Sequence, residues 1–183
     1  MKDINDHYDK YIFDKMSDEN EWPEIENTKL IGEFIKIANK QFSNNNIEGY
    51  LSSTLIFHQI IEELLINLLK LSNLYIQAEI WPTKLNLKIK EKLMFGEIIR
   101  EHDRSIKFDK KTELIDECRK FNEIRIKFVH NLLKFKNETE VKTKAKSIQE
   151  KFRLIIDLYF EGREHIEYLL FDLQKRIDWD LMK

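Results

Sequence analysis

Residues 50–72 read YLSSTLIFHQIIEELLINLLKLS, 23 residues without a glycine or a proline. Leu51, Leu55, Ile61, Leu65 and Leu68 recur at helical spacing, and Ile60, Leu64 and Leu69 widen the stripe. A helix apolar over so much of its circumference has to be covered on most sides, which puts it at the centre of a bundle. The rest of the chain offers it only helices as partners. Four glycines and two prolines in 183 residues are too few to punctuate a β or doubly wound fold. A charged fraction of 35% suits the solvated outer faces of amphipathic helices. The expectation is an all-α, single-domain bundle of four to five main helices.

The other elements follow from period and punctuation. Residues 1–27 are acidic and weakly periodic, an N-terminal extension expected to be partly mobile or to form one short helix on Tyr8, Tyr11, Ile12 and Met16. The bundle is expected over 28–183. Its first helix starts at Thr28, read as an N-cap, and runs to Phe42 before the SNNN turn at 43–46. Residues 73–87, with WPTK, read as a connection. Further helices are expected from Ile89 to Glu101, Thr112 to Lys136 and Val141 to Arg176, with HDRSIKFDKK as a loop.

Several chemistries drop out. Cys118 is the only cysteine, so neither an intrachain disulfide nor a cysteine metal site can form. The isolated glycines 32, 49, 96 and 162 build no phosphate-cradling loop. No histidine follows a carboxylate by three residues, which removes the helical di-iron pattern. His58 with Glu62 and Glu161 with His165 are spaced i,i+4, but a helix this charged produces such pairs freely. No metal and no cofactor is therefore expected, and His58 reads as a rim or satisfied histidine of the central helix. Glu62 and Glu63 read as solvent-facing or salt-bridged. The start lacks a secretory signal, and no apolar run reaches the roughly 20 residues of a membrane span. No membrane association and a cytoplasmic location are the expectation.

Charge is unevenly spread. Residues 1–33 carry ten acids against four bases, while 84–153 carry twenty Lys/Arg against twelve Asp/Glu. The second half is a candidate polyanion-binding region.

One stretch carries more specific information, FNEIRIKFVHNLLKF at 121–135. At 100° per residue, Phe121, Ile124, Phe128, Leu132 and Phe135 share one face. Asn122, Ile126, Val129 and Leu133 form a second stripe, bracketed by Arg125 and His130. A helix with two apolar stripes is central in the fold or lies in an oligomer interface. Arginine holds phosphate oxygens through its planar fork, and histidine exchanges protons near neutral pH. Five residues apart, the two lie about 140° round the helix and roughly 7.5 Å along it. That geometry suits a site built from two copies of the helix. With seven arginines and five histidines in the chain, the spacing alone is no motif.

The segment IRIKFVHN resembles the signature of the HEPN superfamily, in which an arginine and, after four residues, a histidine sit on a late helix of a small bundle. Ile124, Arg125, Lys127, Phe128, His130 and Asn131 stand where that pattern expects them. The likeness extends loosely to the apolar helix at 50–71, to LMFGEII at 93–99 and to the long final helix. It implies a metal-independent endoribonuclease acting as a homodimer through the Arg125–His130 helix, of the toxin, phage-defence or RNA-processing type. His130 would handle the proton of the attacking 2′-hydroxyl or of the leaving oxygen, and Arg125 would steady the phosphate. Asn122 and Asn131 are auxiliary candidates, and Lys127, Lys134 and Lys136 are the candidate RNA contacts. RNA, and an antitoxin or other protein, are the partners implied. The position after the arginine, usually polar in the family, is Ile126. Other members are inactive modules that bind a protein or a nucleotide, and Ile126 makes that the alternative reading.

Overall fold

The computed structural model describes residues 6–83 and 93–176, and every described element is helical. Six α-helices occur among them: α1 (Asp6–Ser17), α2 (Thr28–Ser43), α3 (Ile47–Glu79), α4 (Phe95–Arg104), α5 (Lys111–His130) and α6 (Glu138–Arg176). Short 3-10 turns occupy Glu19–Glu21 and Leu132–Lys134. None of these helices is long and apolar enough to cross a membrane.

The apolar run of the sequence becomes α3, and it does lie at the centre. It packs along α6 and α2, while α5 packs mainly on α6 and also touches α3. The shorter α1 packs on α3 and α6, and α4 packs on α3 and α5. Phe57, Ile61, Leu64, Leu65 and Leu68 of α3 are buried, and Phe57 stacks on Phe152 of α6 with ring centroids 4.1 Å apart. Fully burying one such side chain stabilises the fold by roughly 1.5–3 kcal/mol. Leu55, expected in the stripe, is exposed.

Residues 73–79 are not a connection. The stripe continues through Leu74 and Ala78, both buried, so α3 runs to Glu79 and stops shortly before Pro82. The helix expected from Ile89 begins, within the described residues, at Phe95, while 89–92 lie outside them. It also extends beyond Glu101, because His102 is fully buried with its Nε2 2.9 Å from the Leu65 carbonyl oxygen. The loop between α4 and α5 is correspondingly only 105–110. Asn27, not Thr28, is the N-cap of α2. The turn at 43–46 is tight: a Cβ on Gly49 would overlap the Gln41 carbonyl oxygen, so glycine lets α2 and α3 close up there.

The acidic N-terminal segment docks on the bundle. Ile12 and Met16 of α1 and the following Trp22 are buried in the shared core, whereas Tyr11 points outward. Buried Asn67 of α3 donates to the Pro23 carbonyl oxygen and accepts from Tyr159 and Arg163 of α6. One amide thus ties the segment to both long helices.

Candidate functional site

Helix α5 presents two faces. Phe121 and Phe128 are buried against the core, and Ile124, Leu132 and Phe135 pack partly on it. The helix ends at His130 rather than Lys136, where Asn131 caps it and the chain turns into the 3-10 segment. Leu133 therefore leaves the helical phase and is fully exposed, and Ile126 is 40% exposed. Of the second stripe, Val129 packs partly on the core and Asn122 turns to Arg125, while Ile126 and Leu133 are left uncovered.

Arg125 emerges at the border of the buried face and turns towards α3. Its Nη2 lies 2.6 Å from His58 Nε2 and donates to Asn122 Oδ1 at 2.8 Å. His58 is held in an aromatic slot, with the Phe95 ring centroid at 4.9 Å and the Phe121 ring at 6.4 Å, nearly parallel to it. On its other edge, Nδ1 lies 3.6 Å from Glu62 Oε2, an electrostatic neighbour beyond hydrogen-bond length. Four polar side chains from two helices thus meet in a half-buried cluster: Glu62, His58, Arg125 and Asn122.

The electrostatics of the cluster are consistent with its geometry. Burial, helped by the positive charge of Arg125, lowers the His58 pKa to about 4. At neutral pH the imidazole is uncharged, which lets Nε2 accept from the guanidinium with the ring proton on Nδ1. Burial raises the Glu62 pKa, opposed by Arg125. Burial likewise works against the charge of Arg125, with Glu62 supporting it. An arginine nonetheless keeps its proton, so the cluster holds a fixed cation beside a neutral base. That cation also sets His58 and Glu62 against metal binding, since a metal ion there would face Arg125. The other i,i+4 pair is split as well, because His165 turns to Asp109, with Nδ1 3.0 Å from Oδ2.

The guanidinium is committed at one nitrogen only. Nη2 serves both His58 and Asn122, while Nε is buried without a partner. A fork held in this way is oriented, with Nη1 outside both bonds.

The remaining sequence candidates fall elsewhere. His130 is exposed on the last turn of α5 and has no contact with Arg125. Asn131 and Lys127 sit on the other side of the helix, where with Lys134 they line a cleft towards α6. Lys136 is exposed and outside that cleft, its backbone N–H donating to Glu140. Of the two proposed auxiliaries, the chain brings Asn122 to Arg125 and not Asn131. Sequence reasoning passed over His58 and Glu62 as members of the site. Their signal was present in outline, as two polar residues one turn apart in the most apolar helix, but their partner lies 67 residues away. No protein-family model, curated protein or solved structure matches this chain.

Proposed function

We propose that this chain is a HEPN-type endoribonuclease that acts as a homodimer and needs no metal. The observation that supports this best is the state of Arg125, a half-buried guanidinium oriented at Nη2 by His58 and Asn122. A phosphodiester placed against its open edge would meet Nη1 and find its developing charge stabilised by a preorganised cation. The proton carrier of the signature, His130, is exposed one and a half turns further along, beside the uncovered Ile126 and Leu133. A second copy laid on this surface would cover the apolar side chains and bring a histidine of one chain near the arginine of the other. The 2′-hydroxyl would then attack phosphorus, His130 would accept its proton and return one to the departing 5′-oxygen, and the product end would be a 2′,3′-cyclic phosphate. His58, neutral at pH 7, acts through Arg125 as a positioning residue.

RNA incubated with the purified protein in EDTA tests the proposal. Cleavage leaving 2′,3′-cyclic ends, lost in both Arg125→Ala and His130→Ala, is the expected result; cleavage indifferent to both substitutions overturns it. A second reading, an inactive module of the same type, is favoured by Ile126, an aliphatic side chain beside Arg125 that offers no hydrogen bond. It predicts intact RNA throughout, together with a dimer that Val129→Asp disrupts.

A further inference from the structure

A cleft of about 330 Å³ opens between the end of α5 and the start of α6. Its floor is apolar: Phe128 is buried beneath it, and Phe135 packs there with ring centroids 5.8 Å apart, keeping part of its own surface open. Lys127, Lys134 and Lys144 stand around the rim. Among the described residues none of the three has an ion-pair partner, although other lysines at the start of α5 and along α5 and α6 do. Lys110 pairs with Glu113, and Lys120 and Lys151 both pair with Glu117. One carboxylate, Glu140, also lines the cleft, and it accepts from the Lys136 backbone N–H at 3.0 Å. Three ammonium groups therefore face one carboxylate that is already hydrogen-bonded.

Other depressions lack this combination. One of about 490 Å³ sets Glu48 and Glu138 against Lys142. In another, of about 420 Å³, Arg119 is already bonded to Asp103, and Lys111 donates to the carbonyl oxygens of Ser105 and Ile106. The cleft beside Phe135 is thus distinguished by uncommitted positive charge above an aromatic surface. That pairing selects a ligand with both an anionic and a flat π-bearing part, since lysines bind phosphate as point charges and every nucleobase stacks on an aromatic ring. Its volume lies at the lower end of the range for small-molecule sites, enough for one nucleotide unit. The Asn131 amide at the same wall offers a donor and an acceptor to a base edge.

We infer that this cleft binds a nucleotide unit, its phosphate held by Lys127, Lys134 and Lys144 and its base laid against Phe135. Lys127 lies about 200° round α5 from Arg125, so the cleft is separate from the Arg125 cluster and does not depend on the ribonuclease reading. Titration calorimetry of the full chain at low salt, with AMP, adenosine and inorganic phosphate as probes, tests it. AMP is expected to bind more tightly than either of its parts. Lys134→Ala and Lys144→Ala should each weaken AMP about two- to fivefold. Phe135→Leu should weaken AMP about fivefold or more and leave phosphate unchanged. Binding of AMP should survive Arg125→Ala, and it should persist even if the protein cleaves no RNA. The inference is overturned if AMP binds no better than phosphate, if the lysine variants leave its affinity unchanged, or if Arg125→Ala abolishes it. A 5′-phosphorylated hexa-adenylate separates the sources: tighter binding than AMP, lost in the same variants, identifies an RNA strand, and no gain over AMP identifies a free nucleotide.

Discussion

The two sides of α5 show how differently one helix can use its polar residues. On one side Arg125 is drawn against α3, half-buried and fixed by His58 and Asn122, with a neutral imidazole between two aromatic rings as its main support. On the other, Lys127, with Lys134 of the 3-10 turn that follows, extends over an apolar floor and has no ion-pair partner among the described residues. The first arrangement suits a cation that must be held at one point. The second suits loosely placed charges that attract a phosphate without fixing its position. Burial makes the difference, because an arginine taken partly out of water must be hydrogen-bonded, whereas an exposed lysine need not be.

The largest expected effect tests the shared support of both sides. Phe128→Ala removes a 1% exposed ring from beneath the cleft and should cost about 3–5 kcal/mol of stability in urea unfolding. A loss under about 1 kcal/mol would show that α5 is not anchored there. Next comes chemistry. Arg125→Ala should lower RNA cleavage by about 10²–10³-fold, the scale for loss of a preorganised donor, while Lys127→Ala should lower it far less. Equal losses would mean that the two sides work as one site.

Acidity should act on the buried histidines. His58 and His102 both have folded-state pKa values lowered to about 4, chiefly by burial, against an ordinary value of 6.5. Between those values the unfolded chain takes up protons that the folded chain refuses. Stability is therefore complete above about 6.5 and falls as the pH drops towards 4, by at most about 1.4 kcal/mol per pH unit for each histidine. Unfolding midpoints of His58→Gln across this range should show a shallower fall; an unchanged slope would mean that His58 is not held neutral. The smallest effects contrast two neighbours on α5. Asn122→Ala should cost about 0.5–1.5 kcal/mol by removing a hydrogen bond to Arg125, whereas Ile126→Ala should stay within about 0.5 kcal/mol in the isolated chain. A clear loss for Ile126→Ala that grows with protein concentration would point to a partner on that surface.

Much of the fold was legible because helical period is local. The centrality of residues 50–72 followed from their apolar breadth, whereas the weak period of residues 1–27 left open whether Ile12 and Met16 would be buried. Boundaries were less legible: Leu74 and Ala78 prolong α3, and Asn131 ends α5, for reasons of packing and capping that composition does not show. The candidate site was legible only at Arg125 and Asn122, one turn apart on a single helix.

By itself, then, the sequence determined that the chain is helical, that α3 is its centre, and that Arg125 and His130 lie far apart round α5. These follow from the pitch of a helix and the need to bury apolar stripes. Only the tertiary structure decided that Arg125 meets His58 and that Lys127, Asn131 and Lys134 share a cleft with Lys144. Helical period tells which residues share a face. Which helix that face meets is set by packing across the whole chain, and that is where the neutral histidine and the uncommitted lysines found their places.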